Sequence, residues 1–370
     1  MASPSTAVDS PPPHPLDDRD LLARLATGPA TGDALAQAAG LTRAAVWKRI
    51  DALRAAGVEI DARPGRGYIL RYPLELLDAE AIRARLPAIA AAQLATLEVA
   101  WNLDSTNSEL LRRSTSSRGV DVLLAERQTG GRGRRGRAWA SPLAAHLYLS
   151  LARQFSGGLA RLGGLSLVAG IATAETLRSL GFDGVQLKWP NDLVVNDSAG
   201  LRKLGGLLIE GGGEHAGPVR AVIGLGLNVR MPEAFAVQVT QPWVDLAALS
   251  RPPPSRNVLT AALLTQLLPA LEQFDRDGLA PFLPRYAALD VLAARAVTMH
   301  SPAGERHGVA LGIAADGALR VRLDMPDGSA GEESTFHSGE VSVRARNMLV
   351  GDDMLVAGIL VKDRLEDTGG

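Results

Sequence analysis

The densest chemistry in the chain is the run Gln128-Thr-Gly-Gly-Arg-Gly-Arg-Arg-Gly-Arg137, in which three glycines alternate with four arginines from Gly131 onward. Glycine lets backbone N–H groups turn toward an anion, and guanidinium forks add donors and positive charge. No Gly-Lys-Ser or Gly-Lys-Thr follows, which excludes a Walker loop. A dinucleotide fingerprint is excluded too, because no helix start and acidic ribose ligand follow at its spacing. A bare Arg-Gly run most often belongs to a nucleic-acid tail. This one lies between two strand candidates, residues 122–126 and 146–151, so it reads as a loop of a folded domain facing an anionic ligand.

Other groups could complete such a site. Asp104-Ser-Thr-Asn107 reads either as a helix N-cap or as hydroxyl and amide groups facing a small polar ligand. Val185-Gln-Leu-Lys-Trp-Pro-Asn-Asp-Leu-Val-Val195 reads as two strands around a Pro190-Asn191-Asp192 turn. In Arg202-Lys203-Leu-Gly-Gly-Leu-Leu-Ile-Glu210 a strand carries Lys203 near its start. Gly224 and Gly226 share one face of a further strand ending at Asn228. They leave a side-chain-free strip, suited to a flat ligand or to close strand packing.

Elements must hold these groups. Ahead of them, Leu21, Leu22 and Leu25 mark one face of a first helix. A second helix over 31–40 ends at Gly40, and a third over 42–57 is capped by Thr42. Val46, Ile50 and Leu53 share one side of the third, and Arg43, Lys48, Arg49 and Arg54 decorate the others. Alternating segments 58–62 and 68–70 flank Pro64-Gly-Arg-Gly67 as a hairpin in the place of a wing. The pattern is a winged helix-turn-helix. From Arg43 to Arg71 seven Lys or Arg stand against three Asp or Glu, a local balance of +4 in a chain of formal net charge −1. Attraction to DNA is therefore local. Thr42, Arg43, Lys48 and Arg49 are candidates for the recognition helix, and Arg63 and Arg66 for phosphates. A small helical domain with a solvated basic face is the alternative.

The 370 residues, 46% apolar, suffice for two or three cores. Aromatics make up only 4%, so each of the five Trp calls for a specific explanation. The absence of cysteine excludes disulfide scaffolds, thiolate zinc sites and cysteine nucleophiles, and no metal ligands are assigned. The Pro- and Ser-rich start lacks the apolar core of a signal peptide, and no stretch approaches a membrane span. The expectation is a cytoplasmic protein without a membrane partner. Toward the end, helices are expected over 257–270 and 279–289. Short alternating segments of an antiparallel barrel follow from Ala296 to Arg344, with an unusually long turn over 325–333.

In order and spacing, Asp104-Ser-Thr-Asn107, Gly131-Arg-Gly-Arg-Arg-Gly-Arg137, Lys188-Trp-Pro-Asn-Asp192, Arg202-Lys203-Leu-Gly-Gly206 and Gly224-Leu-Gly-Leu-Asn228 resemble the motifs of biotin protein ligases. With the winged helix in front, the chain resembles the bifunctional bacterial type, a biotin operon repressor and biotin–[acetyl-CoA-carboxylase] ligase, from about Leu21 to Arg346. The resemblance implies a multidomain α+β fold. It comprises a disordered leader 1–16, a winged helix-turn-helix 17–74, a mixed-sheet α/β ligase domain 78–290, an SH3-like β-barrel 294–346 and a tail 347–370 without assigned role.

The resemblance also implies an activity and its residues. Biotin and ATP, with Mg²⁺, would form biotinyl-AMP, and biotin would pass to a lysine of biotin carboxyl carrier protein. Biotinyl-AMP would be the co-repressor of a ligand-dependent homodimer on operator DNA. Ser105, Thr106, Asn107, Gln128, Arg132, Gly133 and Arg134 would line the biotin site, over a floor of Gly224 and Gly226. Lys203 would contact the biotin carboxylate and α-phosphate. Asn228 and Trp243 would lie near the adenylate, with Trp243 over the adenine. Arg137 and Arg344 would face ATP. Lys203, Asp192, Arg134 and Lys188 would form the catalytic set, with Asp192 orienting or deprotonating the acceptor amine.

Three alternatives stand beside this reading. A lipoate ligase would carry an Arg-Arg-x-x-Gly-Gly-Gly run, which the chain lacks. A ligand-sensing regulator without useful catalysis would not need Lys203 together with the arginine loop. A ligase with a non-regulatory winged helix is the third.

Overall fold

The computed structural model describes residues 17–345 apart from 157, 214–218, 250, 251, 253, 303, 326–329 and 340. The leader 1–16, the tail 347–370 and residues 326–329 of the turn expected to be long lie outside these residues.

Local signals build the first module. Asp17 closes a capping box on α1 (Asp18–Ala26), and Thr31 and Thr42 accept from Ala34 N and Ala45 N to cap α2 (Gly32–Ala39) and α3 (Arg43–Ala55). Gly40 ends α2 at φ 62°, a conformation that glycine adopts without steric cost. The hairpin β1 (Ile60–Arg63) and β2 (Gly67–Leu70) follows, with Arg63 opposite Gly67. Gly67 has no substitute there: a Cβ would lie 2.3 Å from Ala30 O, where the wing crosses the chain between α1 and α2. Leu21, Leu22, Leu25, Leu35, Val46, Ile50 and Leu53 fill the core.

Seven strands form the central mixed sheet: β3 (Leu94–Leu103), β4 (Val120–Gln128), β5 (Leu147–Phe155), β6 (Val185–Lys188), β7 (Asp192–Asp197), β8 (Gly200–Gly213) and β9 (Val219–Leu227). Their order is β3-β4-β5-β9-β8-β7-β6, with only β3 and β4 parallel. Successive side chains point to opposite faces. Val122, Leu124, Leu149, Leu151 and Ile223 join the main core with α5 (Leu165–Ser179) and α6 (Arg256–Asp277), whereas Leu123, Ala152 and Val222 cluster with Leu110 of α4 (Thr106–Arg112). Burial on both faces explains why the strands read as unbroken apolar runs. Helix α6 outruns its expected end at 270, because Leu271 and Phe274 continue the buried stripe until Gly278 stops it.

The C-terminal SH3-like module is a five-stranded antiparallel sheet of β10 (Ala296–Ser301), β11 (Gly304–Ile313), β12 (Leu319–Asp324), β13 (Ala330–Phe336) and β14 (Ser342–Ala345), in the order β13-β12-β11-β10-β14. The modules interlock. Leu143 and Ala144, just beyond the arginine loop, belong to the core of the winged helix, and Leu143 N donates to Ala56 O at 2.8 Å. On the other side, Trp189 Nε1 donates to Gly317 O at 3.0 Å. Among the described residues no helix is long and apolar enough to cross a membrane.

Candidate active site

A cavity of about 1430 Å³ opens between the ends of β4, β8 and β9, the arginine loop, the β6–β7 turn and β14. All of Ser105, Thr106, Asn107, Gln128, Arg132, Gly133, Arg134, Arg137, Lys188, Asp192, Lys203, Gly224, Gly226, Asn228, Trp243 and Arg344 line it. Residues spread over 240 positions thus reach one concave surface.

One end is densely hydrogen-bonded and mostly uncharged, its one carboxylate, Glu210, being paired with Arg132. Ser105 caps α4, and Gln128 Oε1 accepts from Thr106 N at 2.8 Å and from Thr106 Oγ1 at 3.1 Å. The hydroxyl of Ser150 lies 2.6 Å from both Thr106 Oγ1 and Asn107 Oδ1. Asn107 Nδ2 donates to Glu210 at 2.9 Å. The N-cap and ligand readings of this segment therefore coexist: Ser105 caps, while Thr106 and Asn107 enter a polar network on the cavity wall.

The other end is cationic. Lys203, fourth residue of β8, places Nζ 2.7 Å from Asp192 Oδ1. Burial pulls the Lys188 ammonium below its ordinary range; Asp192 opposes this, and Lys203, Arg344 and Arg137 reinforce it. Burial, and then Arg135, also lower Arg134, against Asp192. Cations that depress one another around a single carboxylate define a site for a polyanion. The surroundings hold them in place. Arg132 reaches Glu210 at 3.2 Å and Ser108 Oγ at 2.9 Å. Arg134 donates to Asn191 Oδ1 at 3.2 Å and to Ser338 O, and Arg135 to Gly339 O at 3.3 Å. The C-terminal module therefore clamps the arginine loop from outside the central sheet.

Two expectations need correction. Of the three loop glycines expected to turn N–H groups toward an anion, Gly133 instead donates to Arg137 O at 2.7 Å, as Gly130 just before them does to Asp104 O at 2.8 Å. These amides shape the loop, and the guanidinium groups carry its charge. The strip at Gly224 and Gly226 is not bare. A Cβ on Gly224 would lie 2.4 Å from Asn107 Oδ1, and one on Gly226 2.6 Å from the Trp139 ring. The glycines make room for these two side chains.

Trp139, Ser150 and Glu210 were missed by sequence reasoning, and Asn191 was read only as part of a turn and a motif. Trp139 lies over Gly226 with Lys203 Nζ 5.5 Å from its ring, and its buried indole N–H has no partner among the described residues. Its only signal was the scarcity of aromatics. Asn228 and Trp243 are held by bonds to neighbouring backbone. Asn228 Nδ2 donates to Val244 O at 3.1 Å, and Lys203 N donates to Pro242 O at 2.9 Å, which seats the Trp243 segment along β8. His146 holds no catalytic position: burial drives its pKa down to about 3, and its Nδ1 accepts from Val229 N at 3.1 Å.

In the first module, Thr42 Oγ1 accepts from Ala45 N at 3.2 Å. Arg43 and Arg49 face Asp33 and Asp18 at 3.2 and 3.6 Å. Lys48, Arg63 and Arg66 are exposed.

A winged helix, a mixed sheet with a half-buried polyanion cleft and an antiparallel C-terminal sheet define a nucleotide-using ligase carrying a DNA-binding module. The chain belongs to the biotin/lipoate A/B protein ligase family: that family's model matches residues 100–228, an HTH domain matches 18–69 and a biotin protein ligase C-terminal domain 295–344. The chain is 40% identical to the bifunctional ligase/repressor BirA of Escherichia coli K12, over 88% of this chain and 96% of that one. It is also 40% identical to the Salmonella typhimurium LT2 protein of the same name, over 85% and 93%. A biotin–[acetyl-CoA-carboxylase] ligase of Mycobacterium tuberculosis is 33% identical over 66% and 88%. In fold, the chain is similar to a biotin protein ligase of Aquifex aeolicus solved with biotin and ATP (TM-score 0.55, 23% identity, 68% of this chain and all of that one).

Proposed function

We propose that the protein is an ATP-dependent, AMP-forming biotin protein ligase that is also a biotin-responsive transcriptional repressor. The observation that carries the ligase reading is the graded cleft, a neutral network around Thr106, Asn107 and Gln128 opening onto Lys203, Lys188 and the arginines. Biotin has the same polarity, with an uncharged hydrogen-bonding ring at one end and a carboxylate at the other.

Activation brings that carboxylate against the α-phosphate of MgATP, two anions that repel in water. Lys203, Arg134 and Arg137 offset the repulsion and stabilise the charge that develops as the carboxylate oxygen bonds to phosphorus and pyrophosphate leaves. Arg344 and Lys188 hold the outer phosphates, and Mg²⁺ arrives with the nucleotide. Trp243 covers the adenine, and Asn228 fixes the segment that carries it. Trp139 and Asn107 line the floor otherwise left to Gly224 and Gly226. In the second step the acceptor lysine of biotin carboxyl carrier protein attacks the acyl carbon as a neutral amine and releases AMP. Asp192, kept on the cleft wall by Lys203, orients that amine. The arginine loop, anchored through Arg132 to Glu210 and through Arg134 and Arg135 to the C-terminal module, folds over the ligand and excludes water from the adenylate.

The winged helix and its relatives support the repressor half. Biotinyl-AMP is the co-repressor, and a homodimer formed with it bound presents two winged helices to paired half-sites in the cytoplasm. Labelled-biotin transfer to a purified carrier domain, with MgATP, tests the ligase. Wild-type protein transfers, and Lys203→Ala does not. Tight biotin binding without transfer by the wild-type protein would leave a ligand-sensing regulator. Sedimentation with and without biotinyl-AMP tests the dimer, and an unchanged mass over a broad concentration range removes it. A gel shift upstream of biotin-synthesis genes, with and without biotin and MgATP, separates a working repressor from a non-regulatory winged helix.

A further inference from the structure

Helix α3 packs Val46, Ile50 and Leu53 into the core, each at most 2% exposed. Its outer stripe is Ala44, Trp47, Lys48 and Asp51, all exposed. Spacings of three and four residues set these side chains next to one another. Trp47 is 54% exposed, whereas Trp101, Trp139, Trp189 and Trp243 are buried or half-buried. An indole facing water gives up the stabilisation its area would gain on contact, which leaves Trp47 available to a partner. The charge around it selects that partner. Lys48 adjoins Trp47, and Lys48, Arg63 and Arg66 are exposed without a side-chain bond among the described residues. Arg43 and Arg49, the obvious base readers by type, instead face Asp33 and Asp18 of the module itself. A polyanion with apolar groups on its edge fits this stripe, and the major groove of DNA presents thymine C5-methyl groups beside its phosphates.

We propose that Trp47 is a specificity-determining residue of the winged helix, packing its indole on a thymine methyl in the major groove beside a phosphate held by Lys48. This rests on the repressor reading and sharpens it. The outer stripe of α3 reads one base pair of each half-site by apolar contact, and the wing arginines supply affinity without sequence.

The test begins by enriching duplexes from a randomised pool with the full chain, biotin and MgATP. Affinities are then measured by fluorescence anisotropy for wild type, Trp47→Ala and Trp47→Gln. The probes are the enriched duplex, its variants with each thymine in turn replaced by deoxyuridine, and a scrambled duplex. One thymine per half-site is expected to cost the wild type about 4-fold when its methyl is removed, roughly the worth of one buried methyl. It should cost neither variant anything. Scrambled-duplex affinity and its salt dependence should match among all three proteins, which also shows that the variants are folded. A variant that retains the full deoxyuridine penalty overturns the proposal and leaves the repressor reading standing. A variant that loses affinity only because its dimer dissociates, seen by sedimentation, overturns it in favour of a contact between copies. Enrichment of no sequence by the wild type defeats both readings.

Discussion

The protein has two cationic surfaces, and the cations central to each are held differently. In the cleft Lys203 faces Asp192 at 2.7 Å, Arg132 faces Glu210 at 3.2 Å, and Arg134 is held by Asn191 and by Ser338 O, while Arg137 and Arg344 are exposed. On the winged helix, Lys48, Arg63 and Arg66 project into solvent. The difference follows from what each surface must do. Charge that develops within a reaction is stabilised only by groups already in place, because reorganising them would add to the barrier. Phosphates along a duplex are bound largely through counterion release, which long, mobile side chains achieve without fixed geometry.

If that contrast holds, perturbations of the cleft should be large and structural, and those of the wing small and additive. The largest effect is expected for Lys203→Ala. Biotin-dependent exchange of pyrophosphate into ATP should fall about 10³-fold, in line with loss of one preorganised charge. A loss under about tenfold would mean that the arginines carry the step.

Beneath the cleft, Glu126 and Arg256 form a buried ion pair at 2.8 Å, and Glu126 also accepts from Leu77 N. Glu126→Ala strands the Arg256 charge and should cost about 3–5 kcal/mol in denaturant unfolding. An unchanged midpoint would show that water reaches the site.

Asp290 lies behind β6, where Leu187 N donates to Leu289 O and Val291 N to Leu187 O. Burial raises its pKa to about 6. Its folded value exceeds its unfolded one, so the folded state is favoured by protonation and loses stability as pH rises from about 4 to 6. Asp290→Asn should therefore stabilise by on the order of 2–3 kcal/mol at pH 8. The gain should fade below about pH 4, as thermal melts across pH would record. A gain independent of pH would point to a cause other than ionisation.

The smallest effects belong to the wing. Arg63→Ala and Arg66→Ala should each weaken binding to all sequences alike and lower the salt slope by about one for each winged helix engaged. With three such contacts per winged helix, raising salt from about 50 to 200 mM should cost about 40-fold in DNA affinity for each winged helix engaged. Over the same range adenylate formation should change only slightly. Equal salt sensitivity of both activities would erase the distinction between the two surfaces.

Much of this was legible because it is local. Thr31 and Thr42 announce their helices through a bond to a residue three positions on, and Gly40 ends α2 by a conformation that belongs to glycine. The arginine run, the Lys-Trp-Pro-Asn-Asp turn and Lys203 stand out by residue type, and with Gly224 and Gly226 their order pointed to the ligase chemistry. Glu210 and Ser150 carried no such mark. They matter through Asn107, which lies 103 and 43 residues away in the chain. The full length of α6 was missed because its last turns are specified by what they pack against.

The sequence by itself thus determined the modules, the chemical character of the cleft and the local charge of the winged helix, since periodicity, caps and residue types act over a few positions. Only the tertiary structure decided which cations are tethered and which are free. It laid Trp139 and Asn107 over the two glycines, joined Arg134 to Ser338 across 204 residues, and left Trp47 as the exposed indole on α3. Those outcomes depend on which distant side chains share a few ångströms, and distance along the chain carries no record of that.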